Sequence, residues 1–138
     1  MISKTGIHAI TALAVLAELP EGTYAGAGAV ARKIGALANY LGKMLQALAG
    51  AGLVVSQKGL GGGFRLAGDP RRISLFDVIE PIDHVSRWGG CFMGGGNCSE
   101  DAPCAMHTRW AGVRDGYLHI LQETTIADLA KQGDLAKV

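Results

Sequence analysis

The segment from Leu53 to Ala67 restricts this chain to few folds. Leu53-Val54-Val55-Ser56 reads as a strand and Phe64-Arg65-Leu66-Ala67 as its return. Gln57-Lys58-Gly59-Leu60-Gly61-Gly62-Gly63 lies between them. Four glycines in so short a linker permit the positive φ angles of a hairpin tip. A triple glycine also suggests a phosphate-cradling loop, but the Lys-Ser/Thr ending and following helix of a P-loop are missing.

What precedes the hairpin gives it meaning. Ala27 to Ile34 is alanine-rich, carries Arg32 and Lys33 where cations suit a helix C-terminus, and stops at Gly35. Leu37 to Ala51 follows as a second helix, with Leu41, Met44, Leu45 and Leu48 as its apolar stripe. Two short helices joined by a glycine-containing turn form a helix-turn-helix signal, and a hairpin directly after it is a wing. Asn39, Tyr40, Lys43 and Gln46 fall on the side of the second helix away from its stripe. Lys58 and Arg65 flank the wing tip, suited to phosphates or a minor groove.

The charge distribution agrees. The net charge of +1 hides eight Lys/Arg against three acids in residues 1–72, a net +5, and five against nine in residues 73–138, a net −4. A basic half joined to an acidic half places a polyanion on the first half only.

An opening helix spans Ile2 to Leu19, with Ile7, Ile10, Leu13, Ala14 and Ala17 at helical spacing and Pro20 and Gly22 closing it. Asp69-Pro70-Arg71-Arg72 is a turn. Ser74, with Asp77 three residues on, resembles a capping box for a helix that Pro81 ends. From Ala102 to Gln122, Met106, Trp110, Val113, Tyr117 and Ile120 or Leu121 recur at three and four. That stripe has coiled-coil character and predicts packing against a second copy. Thr125 starts a last short helix through Ala130, and Gly133 to Val138 is expected to fray.

Between these elements lie all three cysteines, Cys91, Cys98 and Cys104, with His107 three residues after the last. Three thiolates and an imidazole form a four-ligand set for zinc or an iron–sulfur centre. Flanking glycines let the loop turn back on itself, and Cys104 and His107 share a face if both are helical. No apolar run is long enough to span a membrane, and the start lacks the n-region, apolar core and cleavage site of a signal peptide, so a cytoplasmic chain is expected. Clustered cysteines there bind metal more often than they form structural disulfides. No Ser/His/Asp set, paired carboxylates or cofactor loop is present, and no enzyme is expected.

Taken together, these stretches resemble the winged-helix regulators of the Rrf2 family over nearly the whole chain. Ser3 to Leu13 looks like the family's opening helix, Asn39-Tyr40-Leu41 with Leu45 like its recognition helix, and Gly52-Leu53-Val54 with Gly61-Gly62-Gly63-Phe64 like its strand and wing. The loop is most similar to the iron–sulfur branch typified by IscR, on Cys91, Cys98, Cys104, His107 and Trp110.

The resemblance implies a mainly α fold with a small β-hairpin wing: a winged helix-turn-helix over residues 1–80, a cysteine-bearing sensor loop over 81–104, and a dimerisation helix with a short C-terminal helix over 105–138. It implies a homodimeric transcriptional regulator on a palindromic duplex DNA operator. That regulator is controlled by an iron–sulfur cluster, of 2Fe–2S rather than 4Fe–4S type, on those four ligands. Three departures stand out. Six residues separate Cys91 from Cys98 where that branch usually has five. Gly42 replaces a Glu that discriminates DNA sites, and Ala36-Leu37-Ala38 lacks the usual Ser. In the nitric-oxide branch a carboxylate on the partner's first helix completes the cluster; here Ile7 occupies that region, and its neighbour His8 is a second candidate ligand. Zinc on the same residues, without the usual CxxC pair, and metal-free thiol redox sensing remain the alternatives.

Overall fold

The computed structural model describes residues 2–93, 101 and 103–131. The C-terminal residues expected to fray, and the middle of the cysteine loop, lie outside them. The order is α1 (Lys4–Ala17), α2 (Ala27–Ile34), α3 (Ala38–Gly50), β1 (Val54–Gln57), β2 (Gly63–Leu66), α4 (Leu75–Asp83), α5 (His107–Glu123) and α6 (Ile126–Ala130), with 3-10 turns at Pro70–Arg72 and Val85–Gly89.

α1 is the central element. It buries Gly6, Ala9, Ile10, Thr11, Ala12, Leu13, Ala14 and Leu16, nearly all round its circumference, and packs on α2, α4 and α6. Small residues make this possible, because three neighbours approach one helix only where side chains are short. The buried Thr11 hydroxyl donates to the Ile7 carbonyl at 2.8 Å, so that hydroxyl is not stranded. Ile7, counted in the expected stripe, is itself exposed.

The helix-turn-helix closes at Gly35, whose φ of 74° and N–H to Ala31 O end α2 in a left-handed cap. α3 buries Leu41, Met44, Leu45 and Leu48 against the core. β1 and β2 pair antiparallel with Val54 opposite Leu66 and Gln57 opposite Gly63. Ala25 exchanges both backbone hydrogen bonds with Phe64, at 2.9 and 2.8 Å, and so adds a third line of pairing at the wing's base. Gly63 allows this: a Cβ there would lie 2.4 Å from the Ala25 carbonyl oxygen, at a φ of 134°.

The second half folds back onto the first. Ser74 and Thr125 each cap a helix through a reciprocal box with Asp77 and Asp128, and the two caps bridge to one another. The Thr125 backbone N–H and hydroxyl on the Asp128 carboxyl hold its pKa below the usual value. Ile126 and Ala127 are buried, so α6 completes the core beside α1.

Two helix boundaries differ from those read in the sequence. α4 continues through Pro81 to Asp83. Proline removes one donor to the carbonyl four residues back, and both Asp77 and Pro81 are exposed, so that carbonyl is not forced into a dry interior. α5 begins at His107 rather than Ala102. Pro103 fixes the approach, and Met106 (φ −100°, ψ 1°) stands outside the helical region. No helix among the described residues is long and apolar enough to cross a membrane.

Candidate functional site

The cysteine loop is anchored at both ends. At its root, α4 ends on His84 in a left-handed conformation (φ 50°) and the 3-10 turn follows. The Glu80 carboxylate accepts from the Ser86 backbone N–H at 2.9 Å and from the Ser86 hydroxyl through a very short bond. Val85 is fully buried beneath this turn. The indole N–H of Trp110 on α5 donates to the Gly90 carbonyl at 3.1 Å. Phe92 packs on Trp110 at 5.6 Å between ring centroids, and Trp88 on Tyr117 at 4.8 Å. Trp110 and Tyr117 lie seven residues apart on one side of α5, and each receives a ring from the loop-bearing segment.

These anchors bring Cys91 and Cys104 together. Their Sγ atoms lie 3.2 Å apart, and both residues are partly buried. Cys104 stands in the turn before α5, not on the helix, so the shared helical face expected for Cys104 and His107 is not formed. The two are joined instead by a turn, with His107 N–H donating to Cys104 O at 3.0 Å. Cys98 lies outside the described residues. Among the described residues, no three His, Cys, Asp or Glu side chains form a metal-binding group.

The geometry of the pair tests what it can hold. With metal–sulfur bonds of about 2.3 Å in a tetrahedral arrangement, two thiolates on one ion sit roughly 3.8 Å apart. The observed separation needs to open by only about 0.6 Å to meet that, so the pair suits a shared thiophilic metal. It is also too long for a disulfide, whose sulfurs are about 2.05 Å apart.

His8 is placed elsewhere. Its ring meets Tyr40 edge to face at 5.7 Å, linking α1 to the first turn of α3, and its Nδ1 is buried without a hydrogen-bond partner among the described residues. The carboxylate of Asp83 forms a second link between the loop root and α1. It accepts from the Ser3 backbone N–H at 2.9 Å and from the Ser3 hydroxyl at 2.6 Å, while Ser3 Oγ accepts from Gly6 N at 2.9 Å. A Cβ at Gly6 would lie 2.7 Å from Ile2 Cγ2 and 2.9 Å from Asp83 Oδ2, so those side chains would have to shift to admit it. Burial, and then the nearby Asp83 charge, push the Tyr117 phenol above its usual pKa. Sequence reading missed Ser3, Asp83 and Glu80, because contacts across 80 residues or around a 3-10 turn leave no local pattern.

The candidate nucleic-acid face lies at the other end. Asn39, Lys43 and Gln46 are exposed on α3 at i, i+4 and i+7, and Tyr40 is half-buried by His8. Asn39, Lys43 and Gln46 border an open groove with Ala27, Gly28, Gly42 and Phe64. A Cβ at Gly42 would meet Ala27 at an ordinary 3.6 Å, so this position lacks a side chain by sequence and not by crowding. Lys58 is exposed near the wing tip. Arg65 is not at the tip: it pairs with Val55 two positions back, with its guanidinium 5.3 Å from the centroid of the Tyr24 ring.

Comparison with known proteins accords with this layout. Residues 2–132 match the profile of the Rrf2 family, described as an iron-dependent transcriptional regulator. The chain is 27% identical over 137 residues to the transcriptional regulator IscR of Vibrio campbellii, covering 99% of this chain and 81% of that one. Among solved structures, it is similar to CymR, the global cysteine regulator of B. subtilis, with a TM-score of 0.78 and 27% identity over 96% of this chain and 97% of that one. The fold also matches T. potens IscR, with a TM-score of 0.76 at 24% identity over 100% and 91% of the respective chains. The winged helix-turn-helix, its hairpin and the profile match over almost the full length lead to one conclusion: the chain belongs to the Rrf2 family of DNA-binding transcriptional regulators.

Proposed function

We propose that this regulator binds a palindromic operator as a homodimer, under the control of an iron–sulfur cluster held by Cys91, Cys98, Cys104 and His107. In this reading residues 1–80 meet DNA, 81–104 sense, and 105–138 carry the dimer helix and the short helix behind it. The observation that carries it is the approach of Cys91 and Cys104 to 3.2 Å at the mouth of an anchored loop. The iron-dependent description of the family and the similarity to IscR support the same cofactor. When bound, the cluster supplies a tie between the loop and α5 that iron supply, oxidants or nitric oxide can break.

The chain's own residues carry the consequence to DNA. Glu80 fixes the 3-10 turn that delivers Cys91, and three residues on Asp83 grips the start of α1 through Ser3. α1 then reaches the recognition helix through His8 and Tyr40. A shift of the loop root therefore reaches Tyr40 through rigid elements. Asp83→Asn weakens the charge-assisted grip while leaving shape intact. We expect the parent to bind operator with affinities differing between cluster-loaded and cluster-free forms by about 5- to 150-fold, the usual span of allosteric coupling. In Asp83→Asn that ratio should collapse toward one. An unchanged ratio, measured by fluorescence anisotropy on both forms, would remove the Ser3–Asp83 contact from the route.

Visible absorption and iron and sulfide analysis of anaerobically purified protein test the cofactor. Colour with iron and acid-labile sulfide supports the proposal; a colourless protein holding zinc sinks it in favour of a zinc site on the same donors. One observation favours a second reading. Two sulfurs at 3.2 Å are also poised for oxidation to a disulfide, and the solved relative from B. subtilis is a cysteine regulator. A metal-free protein that loses thiols reversibly on peroxide treatment would establish that reading instead.

DNA binding through α3 makes its own prediction. Lys43→Ala should weaken binding on every sequence and lower the slope of log K against log salt by about 0.9, the signature of one lost phosphate contact. A slope equal to the parent's would take Lys43 off the interface.

A further inference from the structure

The wing tip carries one apolar side chain in a frame that only glycine can build. Gly59 to Gly62 closes a turn through the Gly62 N–H to the Gly59 carbonyl at 3.0 Å, and the φ of 75° at Gly61 is that of a type II turn. Gly59 has a φ of 91° and Gly63 of 134°. At Gly62 a Cβ would lie 2.2 Å from the Gln57 carbonyl oxygen. All four glycines are thus called for by this backbone geometry. Leu60 is the side chain it presents, at 106% relative exposure.

An exposed leucine alone needs no explanation. This one stands at the end of a turn whose neighbouring positions require glycine, with no role in the core and with Lys58 two residues away. A short apolar side chain on a narrow tip flanked by glycines, beside a cation, matches what a minor groove admits. That groove is about 6 Å wide, and apolar wedges such as leucine enter it to unstack a base step while neighbouring cations hold the phosphates. With α3 assigned to the major groove, the wing falls on the adjacent minor groove.

We infer that Leu60 is a minor-groove wedge: it enters the duplex beside each half-site and partly unstacks one base step, so that the protein reads DNA deformability where it makes no hydrogen bond. The inference rests on the assignment of the wing to the DNA face. It predicts a preference for flexible pyrimidine–purine steps under the wing, which cost least to open.

The probe is a duplex selected from a randomised pool by the full-length parent protein, with 2-aminopurine substituted in turn at the positions flanking each half-site. The parent should raise 2-aminopurine fluorescence at one step per half-site. Leu60→Ala should lose that rise and bind about tenfold more weakly with an unchanged salt slope, because an apolar contact releases no counterion. Leu60→Met should keep both fluorescence and affinity, whereas Lys58→Ala should keep the fluorescence change at saturation and lower the salt slope. Leu60 is exposed, so these variants fold as the parent does. If Leu60→Ala keeps affinity and fluorescence, or loses affinity when the parent itself unstacks no base, the wedge is overturned and the wing's place on DNA stands. Failure of the parent to select any duplex would overturn the DNA assignment and the wedge with it.

Discussion

Replacing Cys91 or Cys104 by serine is expected to leave the anaerobically purified protein colourless and without bound iron or sulfide. Thiolate is the ordinary protein ligand of iron–sulfur centres, and an alkoxide is not available from serine near neutral pH. The loop geometry sharpens the expectation. The Gly90 carbonyl receives the Trp110 indole and the Glu80 carboxylate holds Ser86, so Cys91 cannot be replaced by a neighbour sliding into its place. Cys98→Ser should behave in the same way. His107→Ala should shorten cluster lifetime and shift the visible spectrum, since His107 follows Cys104 by one hydrogen-bonded turn. His8→Ala should leave the spectrum alone and weaken DNA binding, because its ring is committed to Tyr40. A reversed pair of results would move the fourth ligand onto the partner's first helix. Parent-like colour and iron content in Cys91→Ser would dismiss the loop as a cluster site.

The elements that local chemistry dictates were legible from residues alone. Ala27–Ile34 ends at Gly35 in both sequence and structure because a left-handed C-cap is a glycine signal. The hairpin was legible for the same reason, since its glycines answer to positive φ and absent Cβ space. The Ser74 box formed with Asp77 in the place Glu more often takes, because a shorter carboxylate still reaches the Ser74 N–H at 3.1 Å.

What stayed hidden depended on distant chain. Apolar spacing describes one buried stripe, so it could not show that α1 is buried almost all round. Nor could it show that α6, legible as a separate short helix, packs on α1 and buries Ile126. Arg65 sits in the return strand where it was read, opposite Val55, but no spacing rule shows that its guanidinium lies over Tyr24. For the proposed metal centre, residue type and spacing gave only candidate donors. The meeting of Cys91 and Cys104 depends on anchors at Glu80 and Trp110 that no spacing rule contains.

The α5 stripe was read as one surface, and the structure divides it in two. Trp110 and Tyr117 are taken up by Phe92 and Trp88 of the same chain, and Leu121 is buried. Val113 and Ile120, seven residues apart, remain 68% and 58% exposed, and a Cβ at Gly112 or Gly116 would meet nothing within 4 Å. The proposed dimer puts a second copy of α5 on that open apolar edge. Across a two-fold axis each substitution counts twice. Val113→Glu would bury two unpaired carboxylates at about 3 kcal/mol each, enough to weaken a dimer by about four decades. Val113 is exposed within one chain, so monomer stability should change by no more than about 0.5 kcal/mol. Sedimentation at micromolar concentration should then give a dimer for the parent and a folded monomer for Val113→Glu. Operator affinity should fall with it, because one half-site replaces two. A Val113→Glu protein that still sediments as the parent does, or a parent that is itself monomeric, would take the dimer interface off this edge of α5.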